Sequence, residues 1–174
     1  MATLRRAAAG DEAAVAQVHV RSWQVGYRGL IADDRLAALD PAERARRYRF
    51  EDQGPRAPQT LLALEGHRVV GFTTWGPSRD EGDLGGEVLA LYVDPDHWGR
   101  GVGSLLHDAA ITALRQWPVE SAHLWVLEGN HRAQQFYLER QWTPEGGSRR
   151  ATVWGVRVSL RRLSRRLEGG PLEP

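Results

Sequence analysis

The 174-residue chain contains no cysteine and no lysine. Without cysteine it has no disulfide framework, no thiolate nucleophile and no cysteine-based zinc site. Without lysine it cannot complete the Gly-Lys-Ser/Thr signature of a nucleotide-binding P-loop. No window approaches the roughly 20 apolar residues of a membrane span, and the first residues lack the apolar core of a signal peptide. The sequence therefore predicts a cytoplasmic protein without a membrane partner.

Composition indicates one globular domain. Apolar residues make up 41% of the chain and charged residues 26%, which is close to the average for folded proteins. The length allows one ordinary hydrophobic core. The formal net charge of +1 argues against nucleic acid as a partner. We expect a single domain over residues 1–162 and a flexible C-terminal tail over residues 163–174, where the chain ends in a polar stretch.

Hydrophobic periodicity predicts a mixed α/β fold. A first strand is predicted over Thr3–Ala7. Helical patterns then begin at Asp11 and, in a second region, run from about Asp33 to Phe50, and a hairpin with a Gly66-His67 turn follows. The remaining elements then alternate between strand and helix, which places one parallel strand pair in the middle of the sheet. The predicted order there is strand Glu87–Val93, helix Val102–Trp117, strand Ser121–Leu127, helix Asn130–Arg140 and strand Ala151–Leu160.

A glycine-rich turn separates the Glu87–Val93 strand from the helix after it. Its glycines, at 99, 101 and 103, allow the backbone to approach a ligand closely. Because the N–H groups at a helix N-terminus bind anions, the turn suits a pyrophosphate. The spacing Gly-x-Gly-x-Gly does not match the Gly-x-Gly-x-x-Gly fingerprint of dinucleotide-binding domains. A turn with a purely structural task is the simpler alternative.

This stretch, LALYVDPDHWGRGVGSLL from Leu89 to Leu106, resembles the central motif of the GNAT superfamily of acetyl-CoA-dependent N-acetyltransferases. The family motif is a strand, then Gln/Arg-x-x-Gly-x-Gly/Ala, then a helix; Gly101 and Gly103 match its glycines, and Trp98 stands at its first position. The resemblance implies a central mixed sheet with helices on both faces. It implies pyrophosphate contacts from Trp98, Gly99, Arg100, Gly101, Val102, Gly103 and Ser104, and backbone pairing of the pantetheine arm with Leu91, Tyr92 and Val93.

A second stretch, from Leu124 to Trp142, resembles the family's later motif, Asn-x-x-Ala-x-x-Phe-Tyr. Asn130, Ala133, Phe136 and Tyr137 fall in register with it. Asn130 is also a suitable N-cap for the following helix. The resemblance implies that Asn130 and Ala133 contact coenzyme A and that Tyr137 hydrogen-bonds the coenzyme sulfur. An unperturbed phenol stays protonated at neutral pH and can donate to a departing thiolate.

Amine acetylation needs a base, because the amine must lose a proton. Glu87 is the candidate, since it lies where one branch of the family carries a glutamate base. Strict alternation would place it on the same face as Leu89, Leu91 and Val93. Glu128 is a weaker alternative, and a carboxylate exposed at a strand end is an equally simple interpretation of Glu87. No covalent intermediate is required, because positioning, an oxyanion-stabilising N–H, a base and an acid are sufficient.

The acceptor amine is less well defined by the sequence. Trp23, Tyr27 and Trp75 are candidates for the wall of the acceptor site, with core packing as the alternative for each. The acidic loop with Asp80, Glu81 and Asp83 could attract a cationic acceptor, with a simply solvated loop as the alternative. We expect acetyl-CoA as cosubstrate, no metal and a possible homodimer. A catalytically silent acyl-CoA-binding module of the same fold is the alternative function.

Overall fold

The computed structural model describes residues 1–51, 54 and 57–167. The strands are β1 (Thr3–Arg6), β2 (Gln59–Glu65), β3 (Arg68–Pro77), β4 (Gly86–Val93), β5 (Ser121–Leu127), β6 (Thr143–Val153) and β7 (Val156–Arg166). The helices are α1 (Glu12–Gly26), α2 (Asp33–Ala37), α3 (Pro41–Ala45), α4 (Val102–Leu114) and α5 (His131–Leu138). Among these helices, none is long and apolar enough to cross a membrane.

The seven strands form one mixed sheet in the order β1-β2-β3-β4-β5-β7-β6. All neighbours are antiparallel except β4 and β5, so the predicted central parallel pair is confirmed. The α1 side of the sheet buries Val15, Val18 and Phe72 in one apolar cluster. The opposite side packs α4 and α5 against β4 and β5. The fold is therefore the predicted mixed sheet with helices on both faces.

The C-terminal part of the sheet corrects two predictions. The single strand expected over Ala151–Leu160 is a hairpin of β6 and β7, turning at Trp154 and Gly155, both of which have positive φ. The strand β7 also runs to Arg166, four residues beyond the predicted domain boundary at 162, and Leu163 is 1% exposed. Pairing with β5 orders this segment. The rest of the predicted tail, residues 168–174, lies outside the described residues.

A β-bulge in β4 changes which side chains share a face. Thr74 pairs with Ala90 and Trp75 pairs with Val88, so Leu89 is an extra residue on β4. Beyond the bulge, Leu91 packs on the α4 side of the sheet. Strict alternation was therefore wrong for Glu87, which does not share the face of Leu91 and Val93.

A buried histidine couples the stability of the fold to pH. The Nε2 atom of His107 accepts a hydrogen bond from the Trp142 indole at 2.9 Å, and its Nδ1 atom lies 2.8 Å from a carboxylate oxygen of Asp108. Burial lowers the pKa of His107 from its usual 6.5. Because His107 is neutral in the fold and takes up a proton in the unfolded chain below about pH 6.5, its contribution to stability is lost as the pH falls.

We therefore expect the free energy of unfolding to decrease between pH 7.5 and pH 5.5. His107→Gln should reduce that slope by up to about 1.4 kcal/mol per pH unit. Urea denaturation at a series of pH values measures it. The matched control is His67→Gln, which removes a histidine that is exposed at the β2–β3 turn. Equal slopes for His107→Gln and the unsubstituted protein would contradict the assignment.

Candidate active site

Strands β4 and β5 pair over three residues and then separate. From Leu89 onwards, the edge of β4 that faces β5 has no strand partner among the described residues. A cavity of about 850 Å³ lies at this separation, with walls from α1, β4, β5, α5 and the turn before α4. Backbone groups on such an edge need a hydrogen-bonding partner when they are buried, so an extended ligand fits there. The three parallel pairs are Gly86–Ala122, Glu87–His123 and Val88–Leu124.

The turn between β4 and α4 forms one end of this cavity. Gly99 and Gly101 line it, with φ values of +74° and +81° that favour glycine. Gly101 is the N-cap of α4, and its carbonyl accepts the hydrogen bond from the Leu105 N–H at 3.0 Å. The N–H groups of residues 102–104 precede that bond and have no intrahelical acceptor. Together with the positive end of the helix dipole, they suit an anionic group.

Trp98 fixes this turn against the end of β4. Its indole N–H donates to the Val93 carbonyl at 2.8 Å. A Cβ at Gly26 would lie 3.5 Å from the indole ring, so α1 also packs closely against it. The guanidinium of Arg132 stacks 3.8 Å from the ring centre. Trp98 therefore supports the turn by packing, and the backbone N–H groups of the turn stay free to bind an anion.

Basic side chains that the sequence analysis did not select flank the same end of the cavity. Arg132 lines the cavity beside Trp98. Arg140 donates to the Ser104 hydroxyl and stacks 3.9 Å from the Phe136 ring. Because the chain is rich in arginine, neither residue stands out in the sequence. Their distance along the chain from the glycine turn also hides the contact.

The helix α5 and its N-cap contribute three of the predicted residues to the cavity, Asn130, Ala133 and Tyr137. The side chain of Asn130 accepts a hydrogen bond from the Ala133 N–H at 3.1 Å, so its predicted N-capping role is confirmed. Tyr137 lines the cavity with a side chain that is 8% exposed and contacts the rings of Phe136 and Trp142. Burial raises the pKa of Tyr137 above its usual 10, which keeps the phenol protonated at neutral pH.

Most of the residues that the resemblance indicated meet around this cavity. Arg100 and Val102 do not line it, and Val102 is instead buried beneath the turn with Leu106. The carbonyl of Val93 already accepts from Trp98 and from the Ser22 hydroxyl, so it is not available for further pairing. The predicted residues that line the cavity are Leu91, Tyr92, Val93, Trp98, Gly99, Gly101, Gly103, Ser104, Asn130, Ala133 and Tyr137.

Of the three predicted acceptor-wall residues, Tyr27 lines the cavity. Burial, with a contribution from the neighbouring Tyr92 phenol, raises the pKa of Tyr27 well above 10. Trp23 and Trp75 are 5% and 1% exposed and belong to the apolar core, so packing is their role. The sequence analysis missed Trp125, which lines the cavity. Strand alternation alone did not distinguish it from a core residue.

Neither candidate base lines the cavity. Glu87 is 2% exposed, and its carboxylate accepts three hydrogen bonds from Arg79, at 2.9, 3.0 and 3.2 Å. Its neighbour in β4, Val88, does line the cavity. Glu128 has a side chain that is 46% exposed and lies 3.3 Å from Arg161. The structure thus gives both carboxylates an arginine partner.

Comparison with known proteins agrees with this geometry. Residues 20–141 match the model of the Acetyltransferase (GNAT) family. The chain therefore belongs to the GNAT acetyltransferase family and is an acyltransferase enzyme.

Two curated relatives support the assignment. The chain is 31% identical over 134 residues to an uncharacterized N-acetyltransferase, YuaI, of Bacillus subtilis, covering 75% of this chain and 74% of that protein. It is 36% identical over 96 residues to the mycothiol acetyltransferase of Propionibacterium freudenreichii, covering 55% of this chain. The match spans 31% of that second relative.

Solved structures show the same fold. A GCN5-related N-acetyltransferase from Rhodopseudomonas palustris superposes with a TM-score of 0.74 at 22% identity, covering 96% of each chain. The yncA protein of Salmonella typhimurium, solved with acetyl-CoA, superposes with a TM-score of 0.69 at 20% identity, covering 98% of this chain and 96% of that one.

Proposed function

We propose that this protein transfers an acetyl group from acetyl-CoA to a primary amine by direct attack in a ternary complex. The observation that carries the proposal is the cavity between the separated ends of β4 and β5. It combines an anion-binding turn at one end, an open strand edge along one side and a buried, protonated Tyr137 in the wall. The yncA neighbour was solved with acetyl-CoA, and YuaI is described as an N-acetyltransferase.

The residues present fit coenzyme A. The N–H groups at the start of α4 provide donors for the diphosphate, and Gly99 and Gly101 keep side chains out of its way. Arg132 and Arg140 add positive charge beside them. The open edge of β4 offers backbone groups to an amide-containing arm. No metal is needed for this chemistry.

When bound, acetyl-CoA supplies an activated thioester. The chain's own residues then have three tasks. The open backbone of β4 holds the reacting group and donates to the oxygen on which negative charge develops. The Tyr137 phenol gives a proton to the leaving sulfur as the carbon–sulfur bond breaks. The walls of the cavity align the amine with the thioester carbon, where the new carbon–nitrogen bond forms.

The attacking amine must lose a proton to a base. We retain Glu87 as the candidate base, acting through ordered water, because its neighbour Val88 lies on the cavity wall. Its three hydrogen bonds from Arg79 hold the carboxylate in one place. Glu128, which is half-exposed and paired with Arg161, is the weaker alternative.

Two measurements test the function. Calorimetric titration with coenzyme A and acetyl-CoA should show binding heat, and each ligand should raise the melting temperature, because a ligand that binds the folded state stabilises it. A screen of primary amines with acetyl-CoA should then show thiol release above the rate of hydrolysis. Absence of binding would end the proposal. Binding without thiol release for any amine would favour the catalytically silent module.

A further inference from the structure

Asp80, in the loop between β3 and β4, connects the cavity wall to the edge of the sheet. Its Oδ2 atom accepts a hydrogen bond from the Trp125 indole at 3.2 Å. Its Oδ1 atom accepts one from the Arg149 guanidinium at 2.7 Å. The same guanidinium stacks 3.9 Å from the Trp125 ring centre. One carboxylate therefore fixes both the tryptophan and the arginine that covers it.

Two other carboxylates near the loop, Asp83 and Glu87, also have arginine partners. The two oxygens of Asp83 accept from the Gly85 N–H and from Arg162. Both oxygens of Glu87 accept from Arg79. Although Asp80, Asp83 and His123 bring possible metal-ligand atoms within 4.8 Å of one another, arginines already bind both carboxylates. Arginines therefore pair with Asp80 and Asp83, so these two carboxylates offer little to a cationic acceptor.

Arg149 has hydrogen-bond donors that the described residues do not use. Its guanidinium has five N–H donors, and within the described part of the chain it makes one hydrogen bond, to Asp80. Its side chain is 43% exposed. It lies directly against Trp125, which lines the cavity. A planar guanidinium with spare donors, held by a carboxylate and a ring, is preorganised for a bidentate contact with an anion.

We propose that Trp125 and Arg149 form the acceptor subsite and that the acceptor is a primary amine carrying a carboxylate. The amine enters the cavity along Trp125, and Arg149 binds the carboxylate at the outer edge of the ring. Asp80 is the positioning residue for both side chains. This inference rests on the proposed function, since it names the acceptor class of the same site.

Matched acceptor pairs test the inference. Each pair has an amino acid and the amine that lacks its carboxylate: phenylalanine and 2-phenylethylamine, leucine and 3-methylbutylamine, histidine and histamine. We expect the amino acid to have the higher kcat/KM in at least one pair. Arg149→Gln should raise its KM about tenfold or more, with kcat within about threefold, and leave the parameters of the paired amine unchanged. Arg149→Lys should recover part of the loss.

The control is Arg150→Gln, since Arg150 is also exposed but lies on the other face of β6. It should behave like the unsubstituted enzyme. Asp80→Asn keeps an oxygen for the Trp125 indole but loses the charge that holds Arg149, so it should also raise the KM of the amino acid. Melting temperatures check that each variant is folded.

Three outcomes would overturn the inference: no preference for the carboxylate in any pair, equal effects of Arg149→Gln on both members of a pair, or no turnover of either member in all three pairs. Turnover of amines without a carboxylate preference would leave the proposed function intact. Failure of the calorimetric titration with acetyl-CoA would remove the proposed function itself. The two ideas therefore fail separately.

Discussion

Replacing Tyr137 by phenylalanine is expected to lower kcat about a hundredfold, the usual size of a general-acid contribution. The Kd for acetyl-CoA should stay within about threefold, because the ring keeps its contacts with Phe136 and Trp142 and the substitution removes one oxygen. Initial rates of thiol release with a substrate from the amine screen give kcat, and calorimetry gives the Kd.

The matched control removes the same atom elsewhere. Tyr48→Phe deletes a phenol oxygen that lies 2.6 Å from the His19 ring and is not part of the cavity wall. It should leave kcat near that of the unsubstituted enzyme, even if it costs some stability. A Tyr137→Phe enzyme that lost affinity and turnover by the same factor would show that the phenol acts in binding and not as the acid.

A negative charge at position 103 should prevent coenzyme binding. A Cβ at Gly103 would lie 3.5 Å from the Phe136 ring and 3.8 Å from a methyl group of Val93, and all three residues line the cavity. Gly103→Asp therefore places a carboxylate at the anion-binding end. Repulsion of the coenzyme diphosphate should weaken its binding about a hundredfold at low salt.

Gly103→Asn isolates the charge, because asparagine has nearly the same size as aspartate and is neutral. It should weaken binding far less than Gly103→Asp, and the difference between the two variants should shrink as salt is added. Calorimetric titration with coenzyme A at 20 and 500 mM salt (roughly 20 and 4 Å Debye lengths) measures the two Kd values. Equal Kd values for the two variants would contradict a diphosphate at this position.

Local pattern was sufficient to predict the elements that flank the cavity. The helix α4 has apolar residues at helical spacing, and its N-terminus follows a glycine-rich turn. The capping side chain of Asn130 has a similarly local cause, since its acceptor oxygen needs an N–H three residues later. Such interactions involve neighbours in the sequence, so a pattern of residue types can predict them.

Two features of the sheet had no local signal. The bulge at Leu89 lies within the apolar run Val88–Val93 of β4, which contains no glycine or proline, so nothing in the pattern shows where the alternation changes. The strand β6 carries Pro144, two glycines and adjacent arginines, and its exposed edge position does not require alternating apolar residues. Both depend on pairing with a partner strand, which composition does not reveal.

Contacts between distant residues explain the remaining differences. Asp80 and Arg149 are 69 positions apart, and Asp83 and Arg162 are 79 positions apart. The sequence analysis considered the charge of the acidic loop alone, without the arginines of the C-terminal segment. The fold brings them together, and their charges are largely used on each other. A prediction of acceptor charge from either segment alone could not include this effect.

The short ladder at the centre of the sheet has a mechanical consequence. Three residue pairs join the four-stranded half of the sheet to the three-stranded half, and all of them lie at one end. A small rotation of one half against the other changes the distance between β4 and β5 little at the three paired residues. It changes that distance much more at the end where the two strands are already apart. A molecule that bridges the wide end would restrict this rotation and make the two halves move as one body.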